Sequence, residues 1–434
     1  MRTAGVATLV LIGLGAVALT GLSRAAATSV APVASSACGA AQYGGNGAPE
    51  ALIVSDLPLQ GDSKRRSLQM NDAIRLVLEG ANWKAGNLRV GFQACDDSSA
   101  KTGLWTKARC QANANAYAAN AAVLGVIGTY NSGCAEAMIP ILGRAPGGGV
   151  AMVSPGNTLI CLTQSSPSCP RGQPKSLYPA SHNYARVVPN DAYQGAGLAS
   201  FAKKQGVGSA FVLYAAKDAT SLGQAKTFRG AARKLGLRLV GFKSWNPKAK
   251  GYRSLMTKVA GADPDAILLA GLTEENGGRL IKDKVAVLGP NSRVKLLAPD
   301  GFAQQSTIDL AGKAAKGMFA SVPGEVPQNL EGRGKKLVGE LEKELGEAPE
   351  LYAPYAGQAA EVVLGAIAKG NDRAGVIKAV ASTRVHSGIT GSFDILPSGD
   401  PSVGPITISV AKRTFTPFQV VEPGPALVKA ARRG

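Results

Sequence analysis

From Ala51 onward, short apolar runs alternate along the chain with stretches of helical period. Ala51–Leu57 (ALIVSDL) has the length and content of a buried strand and is bounded by Pro58 and Gly61. Met70, Ala73, Ile74, Val77, Leu78 and Ala81 then recur at helical spacing, giving one apolar face. Leu88, Val90 and Phe92 alternate with polar or small residues, which predicts a second strand ending at Cys95. A helix rich in Ala and Asn over 107–120 leads into an apolar strand at 122–127, then a turn, another helix and a strand at 150–154. Repeated strand–helix units of this kind predict an α/β fold, with mostly parallel sheets covered by helices on both faces.

The alternation restarts after a loop rich in Pro, Ser and Gly at 164–179. Strands at 209–215, 238–244, 265–271 and 293–299 are separated by helices, two of which begin near Ser221 and Glu275. The C-terminal third adds no third unit. A strand at 317–322, helices at 330–345 and 354–369, and late strands at 392–395 and 405–410 read as returns that complete the two sheets. That requires several crossovers between two lobes. A chain of 434 residues also exceeds what one hydrophobic core usually supports.

Residues 1–27 stand apart. Arg2 precedes an uncharged apolar run at 6–22, and Ser23-Arg24-Ala25-Ala26-Ala27 supplies small residues for cleavage, the layout of a secretory signal peptide. A membrane anchor is the alternative, since the run approaches the ~20 residues that cross a bilayer. Both readings export the remainder. Six cysteines suit an oxidising compartment. Cys161 and Cys169 flank a short Ser/Pro-rich segment and are expected to close a small loop. Cys38, Cys95, Cys110 and Cys134 make two further bridges, with Cys95–Cys110 and Cys38–Cys134 the first pairing expected. Lipidation at Cys38 is the rival use of that residue, but Ser35-Ser36-Ala37 lacks the usual aliphatic residue and the apolar run ends well upstream.

The net charge of +19 is spread along the chain, with no helix-turn-helix or zinc-finger pattern, so nucleic acid is not an expected partner. Anionic lipid or cell-wall polymer fits the charge of an exported chain better. With His182 and His386 the only histidines, a multi-histidine metal site is excluded, and no cofactor is expected.

In open α/β sheets, ligands sit beyond the carboxyl ends of the strands. Two loops are so placed here: Gly128-Thr129-Tyr130-Asn131-Ser132-Gly133-Cys134 and Val153-Ser154-Pro155-Gly156-Asn157-Thr158. With the turn Pro299-Asp300-Gly301 and the segment Pro264-Asp265-Ala266-Ile267, they resemble the leucine/isoleucine/valine-binding proteins, the type I periplasmic solute-binding proteins of branched-chain amino-acid ABC importers. Glu275-Asn276-Gly277-Gly278 further resembles an actinobacterial branch.

The resemblance implies two lobes discontinuous in sequence, at 51–190 with 322–387 and at 191–321 with 388–425. They follow a segment at 28–50 and precede a basic tail at 426–434. It also implies a monomer that serves membrane permease subunits, and a Cys95–Cys134 bridge in place of the pairing above. Ser132 and Thr158 match the family's ligand-carboxylate hydroxyls, beside Asn157, and Asp300 matches its ammonium-binding acid, shortened from Glu. Read locally, Ser132 is also a helix cap and Asp300 a turn residue. Thr220 and Thr273 stand where the family offers tyrosines, so a ligand other than a branched aliphatic amino acid is open, an amide or aromatic acid included. Tyr130 and Tyr352 are the expected replacement walls.

An enzyme is the weaker alternative. Ser132 sits on a strand-to-helix turn, but the flanking G-x-S-x-G pattern is missing and neither histidine neighbours an orienting acid. A DNA-binding regulator or a sensory ligand-binding protein would share the fold.

Overall fold

The computed structural model describes Met1 and residues 30–434, so the expected signal peptide lies outside the described residues apart from Met1. The first unit runs β1 (Ala51–Leu57), α1 (Lys64–Gly80), β2 (Lys84–Ala85), β3 (Leu88–Asp96), α2 (Lys107–Ala119), β4 (Val123–Gly128), α3 (Ser132–Leu142), β5 (Ala151–Ser154) and β6 (Tyr184–Arg186). The second runs α4 (Asp191–Lys204), β7 (Ser209–Ala215), α5 (Ala219–Lys234), β8 (Arg238–Trp245), α6 (Arg253–Ala260), β9 (Ala266–Ala270), α7 (Gly277–Leu288), β10 (Lys295–Ala298), α8 (Gln305–Ala311) and β11 (Phe319–Pro323). The chain then returns through α9 (Gly332–Leu345), α10 (Ala353–Gly370) and α11 (Arg373–Ala381). It ends in β12 (Arg384–Gly388), β13 (Gly391–Asp394), β14 (Ile406–Ala411), β15 (Phe415–Val421) and α12 (Pro425–Arg432).

Two sheets result, in the orders β2-β3-β1-β4-β5-β6 and β15-β14-β11-β10-β9-β7-β8. Pairing is parallel except at β2 with β3 and at the β11-β14-β15 edge. Both are two-sided, and the strand alternation shows how. In β1, Ile53 and Leu57 pack with Met70, Ile74 and the α10 residues Ala359 and Val363, whereas Leu52 and Val54 pack with Ala114, Tyr117 and Met138 from α2 and α3. In β7, Ala210 and Val212 meet α4 and α5 through Phe201 and Phe228, and Phe211 and Leu213 meet α6 and α7 through Met256 and Ile281. Helix α10 approaches β4 so closely that a Cβ at Gly125 would lie 2.5 Å from Val363 Cγ1. Late sequence thus completes the first lobe.

Three boundaries differ from the sequence reading. Val322 pairs with β14 in the second sheet, so the return to lobe one begins after Pro323. The late strand at 392–395 joins neither main sheet; β12 and β13 pair only with each other, and Phe393 and Ile395 are buried in the core beside α10. The expected basic tail is α12, whose Val428 and Ala431 are buried with α4 and α5. Its Lys429, Arg432 and Arg433 mask that amphipathic spacing.

The disulfides are Cys161–Cys169, as expected, together with Cys38–Cys95 and Cys110–Cys134. This corrects Cys95–Cys110 and Cys38–Cys134, and equally the family-derived Cys95–Cys134. The physical reason lies in the segment before β1. It runs antiparallel beside β3, where Gln42 and Phe92 exchange backbone hydrogen bonds and Gly39 N donates to Ala94 O, setting Cys38 against Cys95. Cys110 and Cys134 then meet because α2 and α3 pack side by side on the same face. With its sulfur in a disulfide, Cys38 has none left for a lipid thioether.

The chain crosses between lobes after β6, after β11 and before β14. Two crossings are tied together by Arg186, whose Nε donates to Asp400 Oδ1 at 2.8 Å with both side chains buried. Burial alone would raise the Asp400 carboxyl; Arg186, Gln164 and Thr163 outweigh it and hold the pKa below the usual value. Asp400→Asn is expected to leave the guanidinium's charge unpaired and cost about 3–5 kcal/mol in urea unfolding, whereas a surface control such as Asp309→Asn costs little.

Candidate ligand-binding cleft

The carboxyl ends of the two sheets face each other and enclose a cavity of about 20 Å³, room for little more than a water in this closed arrangement. Tyr130, Ser132 and Thr158 line it from lobe one, and Thr220, Leu272 and Asp300 from lobe two.

The lobe-one loops are built as a unit. Asn157 Nδ2 donates to the carbonyls of Thr129 and Tyr130, both at 2.9 Å, and its Oδ1 accepts from Tyr184 Oη at 3.0 Å. Its amide is therefore occupied in welding the two loops, and Asn157 does not line the cavity. Arg186 Nη1 donates to the carbonyls of Asn157 at 2.9 Å and Leu159 at 3.0 Å, so Thr158 is held between two clamped peptide groups. Ser132 occupies the first turn of α3 and accepts from Leu159 N at 3.3 Å, with Asn131 at the N-cap. Backbone N–H groups and hydroxyls at a helix N-terminus suit an anion.

Across the cavity, Asp300 follows β10. Its Oδ2 accepts from Tyr352 Oη at 2.6 Å and its Oδ1 from Gln194 Nε2 at 2.5 Å. Tyr352 belongs to lobe one, so this bond spans the cleft. Burial raises the Asp300 carboxyl, partly offset by Tyr352, Gln194 and the Arg66 guanidinium. Tyr130 and Tyr352 pack edge to face at 5.3 Å, and Arg66 lies 3.9 Å from the Tyr130 ring centroid. Arg66 reaches lobe two through Glu274 at 3.2 Å and through Gln304. Tyr130 Oη is buried without a protein partner.

Thr273 does not reach the cavity. Its Oγ1 donates to Gly301 O at 3.1 Å and pairs with Thr307 Oγ1 at 2.5 Å, bracing the loops beneath, while Leu272 lines the cavity. Thr220 does line it, on the first turn of α5.

Four residues escaped the sequence reading. Trp105 is a wall, seated against Gly133, where a Cβ would lie 2.5 Å from the indole. Asp218 and Gln224 line the lobe-two side, and Arg66 bridges the lobes. Asp218 carried a signal, since Asp is a preferred N-cap at a helix start, and its carboxylate accepts from the backbone N–H of Ser221. Trp105 and Arg66 carried none, because the first is a wall only once it is seated against Gly133 and the second bridges only once the lobes meet.

A sequence model for a family described as periplasmic binding protein matches residues 57–411. The chain belongs to the periplasmic binding protein family. Comparison with curated proteins gives no match. Among solved structures, a leucine binding protein from Thermotoga maritima is 21% identical over 86% of this chain and 99% of its own, with a TM-score of 0.74. A branched-chain amino acid transporter substrate binding protein from Streptococcus pneumoniae, in complex with isoleucine, is 16% identical over 86% and 99%, with a TM-score of 0.72. A solute binding protein of an R. palustris ABC transporter, in complex with 4-hydroxybenzoate, is 14% identical over 86% and 98%, with a TM-score of 0.73. These likenesses show the fold of a periplasmic binding protein, two α/β lobes with mostly parallel sheets. No helix among the described residues is long and apolar enough to cross a membrane.

This periplasmic binding protein buries several acids around its cleft. Asp191 is raised to about 7 by burial and the nearby Asp300, and Glu275 to about 8 by burial and Asp218. Both bind protons more tightly folded than unfolded, so their contribution is fully present below about pH 4 and lost as pH rises through 7 and 8. Thermal unfolding of the ligand-free protein should accordingly show a higher Tm at pH 5.5 than at pH 8.5. Asp191→Asn together with Glu275→Gln should flatten that slope.

Proposed function

We propose that the chain is the extracytoplasmic solute-binding subunit of an ABC importer, capturing an amino acid or similar small zwitterion between its lobes and delivering it to a membrane permease. The observation that carries this reading is the split of charge preference across the cleft. Ser132, Thr158 and the α3 N-terminus favour an anion on one wall, and Asp300 offers a carboxylate on the other. A zwitterion satisfies both walls at once, and closure removes water from both contacts.

The same surroundings speak for binding without reaction. His182 stacks on Tyr178 with ring centroids 4.1 Å apart, His386 lies on β12, and neither lines the cavity that holds Ser132. Cys134 is in a disulfide and is no nucleophile. A nucleophilic serine needs an adjacent base, and no histidine or lysine among the described residues lines the cavity.

Trp105 and Tyr130 line the cavity, with Tyr352 packed against Tyr130 but not in the lining. These two walls give a second reading its support, because an aromatic acid would stack on them, and the relative from R. palustris holds 4-hydroxybenzoate. One measurement separates the two. If a zwitterion is bound, Asp300→Asn is expected to lower amino-acid affinity by tenfold or more, in line with the ~2–5 kcal/mol typical of truncating a buried charge pair. Ser132→Ala and Thr158→Val should weaken either class of ligand. Titration calorimetry with amino acids and with 4-hydroxybenzoate decides between them; an Asp300→Asn variant that binds unchanged identifies the aromatic-acid reading as the correct one.

A further inference from the structure

We infer that the ligand's side chain ends in a nitrogen donor, an amine or guanidinium, which the first turns of α5 receive through Asp218, Thr220 and Gln224. This rests on the amino-acid reading above and deepens it by naming the substrate class.

The argument is an account of donors and acceptors. Thr220 and Gln224 are four residues apart on α5, so both fall on the helix face that borders the cavity, with Asp218 at the N-cap. Gln224 is 5% exposed, and its Oε1 has no hydrogen-bond partner. Asp218 accepts from Ser221 N and Ser221 Oγ, both at 2.6 Å and both on Oδ2. Glu275 stands behind, its Oε2 accepting from the same Ser221 hydroxyl at 3.2 Å. No lysine or arginine lines this cavity among the described residues, and Arg66, the nearby cation, is already committed to Glu274 and the Tyr130 ring.

The lobe-two wall therefore offers two carboxylates, a hydroxyl and an unpartnered amide oxygen. Asp300 is sufficient for one ammonium. An aliphatic side chain would press methyl groups against the half-buried Asp218 carboxylate and leave the buried Gln224 carbonyl without a donor. A terminal amine or guanidinium supplies donors to both and balances the second charge.

The test is calorimetry on the processed full-length chain with L-lysine, L-arginine, L-leucine and L-norleucine, the last matching lysine without its terminal amine. Lysine or arginine should bind at least tenfold more tightly than norleucine. Asp218→Asn, which retains a good N-cap, should erase most of that preference with the Tm preserved, and Gln224→Met should reduce it. Equal or tighter binding of leucine or norleucine overturns the inference while the amino-acid reading stands. An unchanged preference in Asp218→Asn overturns the assignment of this wall. If no amino acid binds and 4-hydroxybenzoate does, the reading and the inference fall together.

Discussion

The cleft depends on one buried cation, Arg186. Its guanidinium spends its donors on Asp400, on Thr163 and on the carbonyls either side of Thr158. Those carbonyls belong to a loop with no regular partner of its own, and a desolvated carbonyl without a donor is costly. Asp400 in turn lies in the segment that carries the chain back to β14, so the same ion pair shapes the binding loop and fixes where the lobes are joined. Buried charge is worthwhile here because each of the three guanidinium nitrogens has a partner.

The second organising feature is the way the lobes meet. Arg66, Tyr130 and Tyr352 extend from lobe one toward Glu274, Gln304 and Asp300 of lobe two. These contacts are polar and desolvated only when the lobes touch. Closure thus trades solvated charges for paired ones, leaving a modest balance that a ligand bridging both walls can tip. Solute capture by a two-jaw protein needs a balance of that kind.

Much of the architecture was legible in the chain. The continuous apolar runs of β1, β4, β7 and β9 announce strands covered on both faces, and the loops after β4 and β5 stand out by their small and hydroxylated residues. Beyond Cys161–Cys169, the disulfide framework was not legible, because the partner of Cys95 arrives from a segment before β1 with no strand-like pattern. Nor was α12, whose basic residues hide its apolar stripe. In the cleft, loop position together with the family resemblance picked out Ser132, Thr158 and Asp300, which do line the cavity, whereas Asn157 and Thr273 have side chains whose bonding only tertiary structure decides. A hydroxyl or amide facing a ligand and one bracing a backbone look identical in sequence.

All three disulfides lie in lobe one, and every cysteine precedes α4. Yet the core of that lobe is completed by α10, encoded more than a whole lobe later. A chain that emerges from its N-terminus must hold β1 to β6 in register with one face of their sheet covered by α1 alone. Covalent cross-links available at that stage restrain the half-covered sheet until α10 arrives. Lobe two has no such bonds, and its sheet waits for β14 and β15 at the very end of the chain. The two jaws are therefore unequal in build: one is stapled by bonds formed within the first part of the chain, and the other is held together by packing alone.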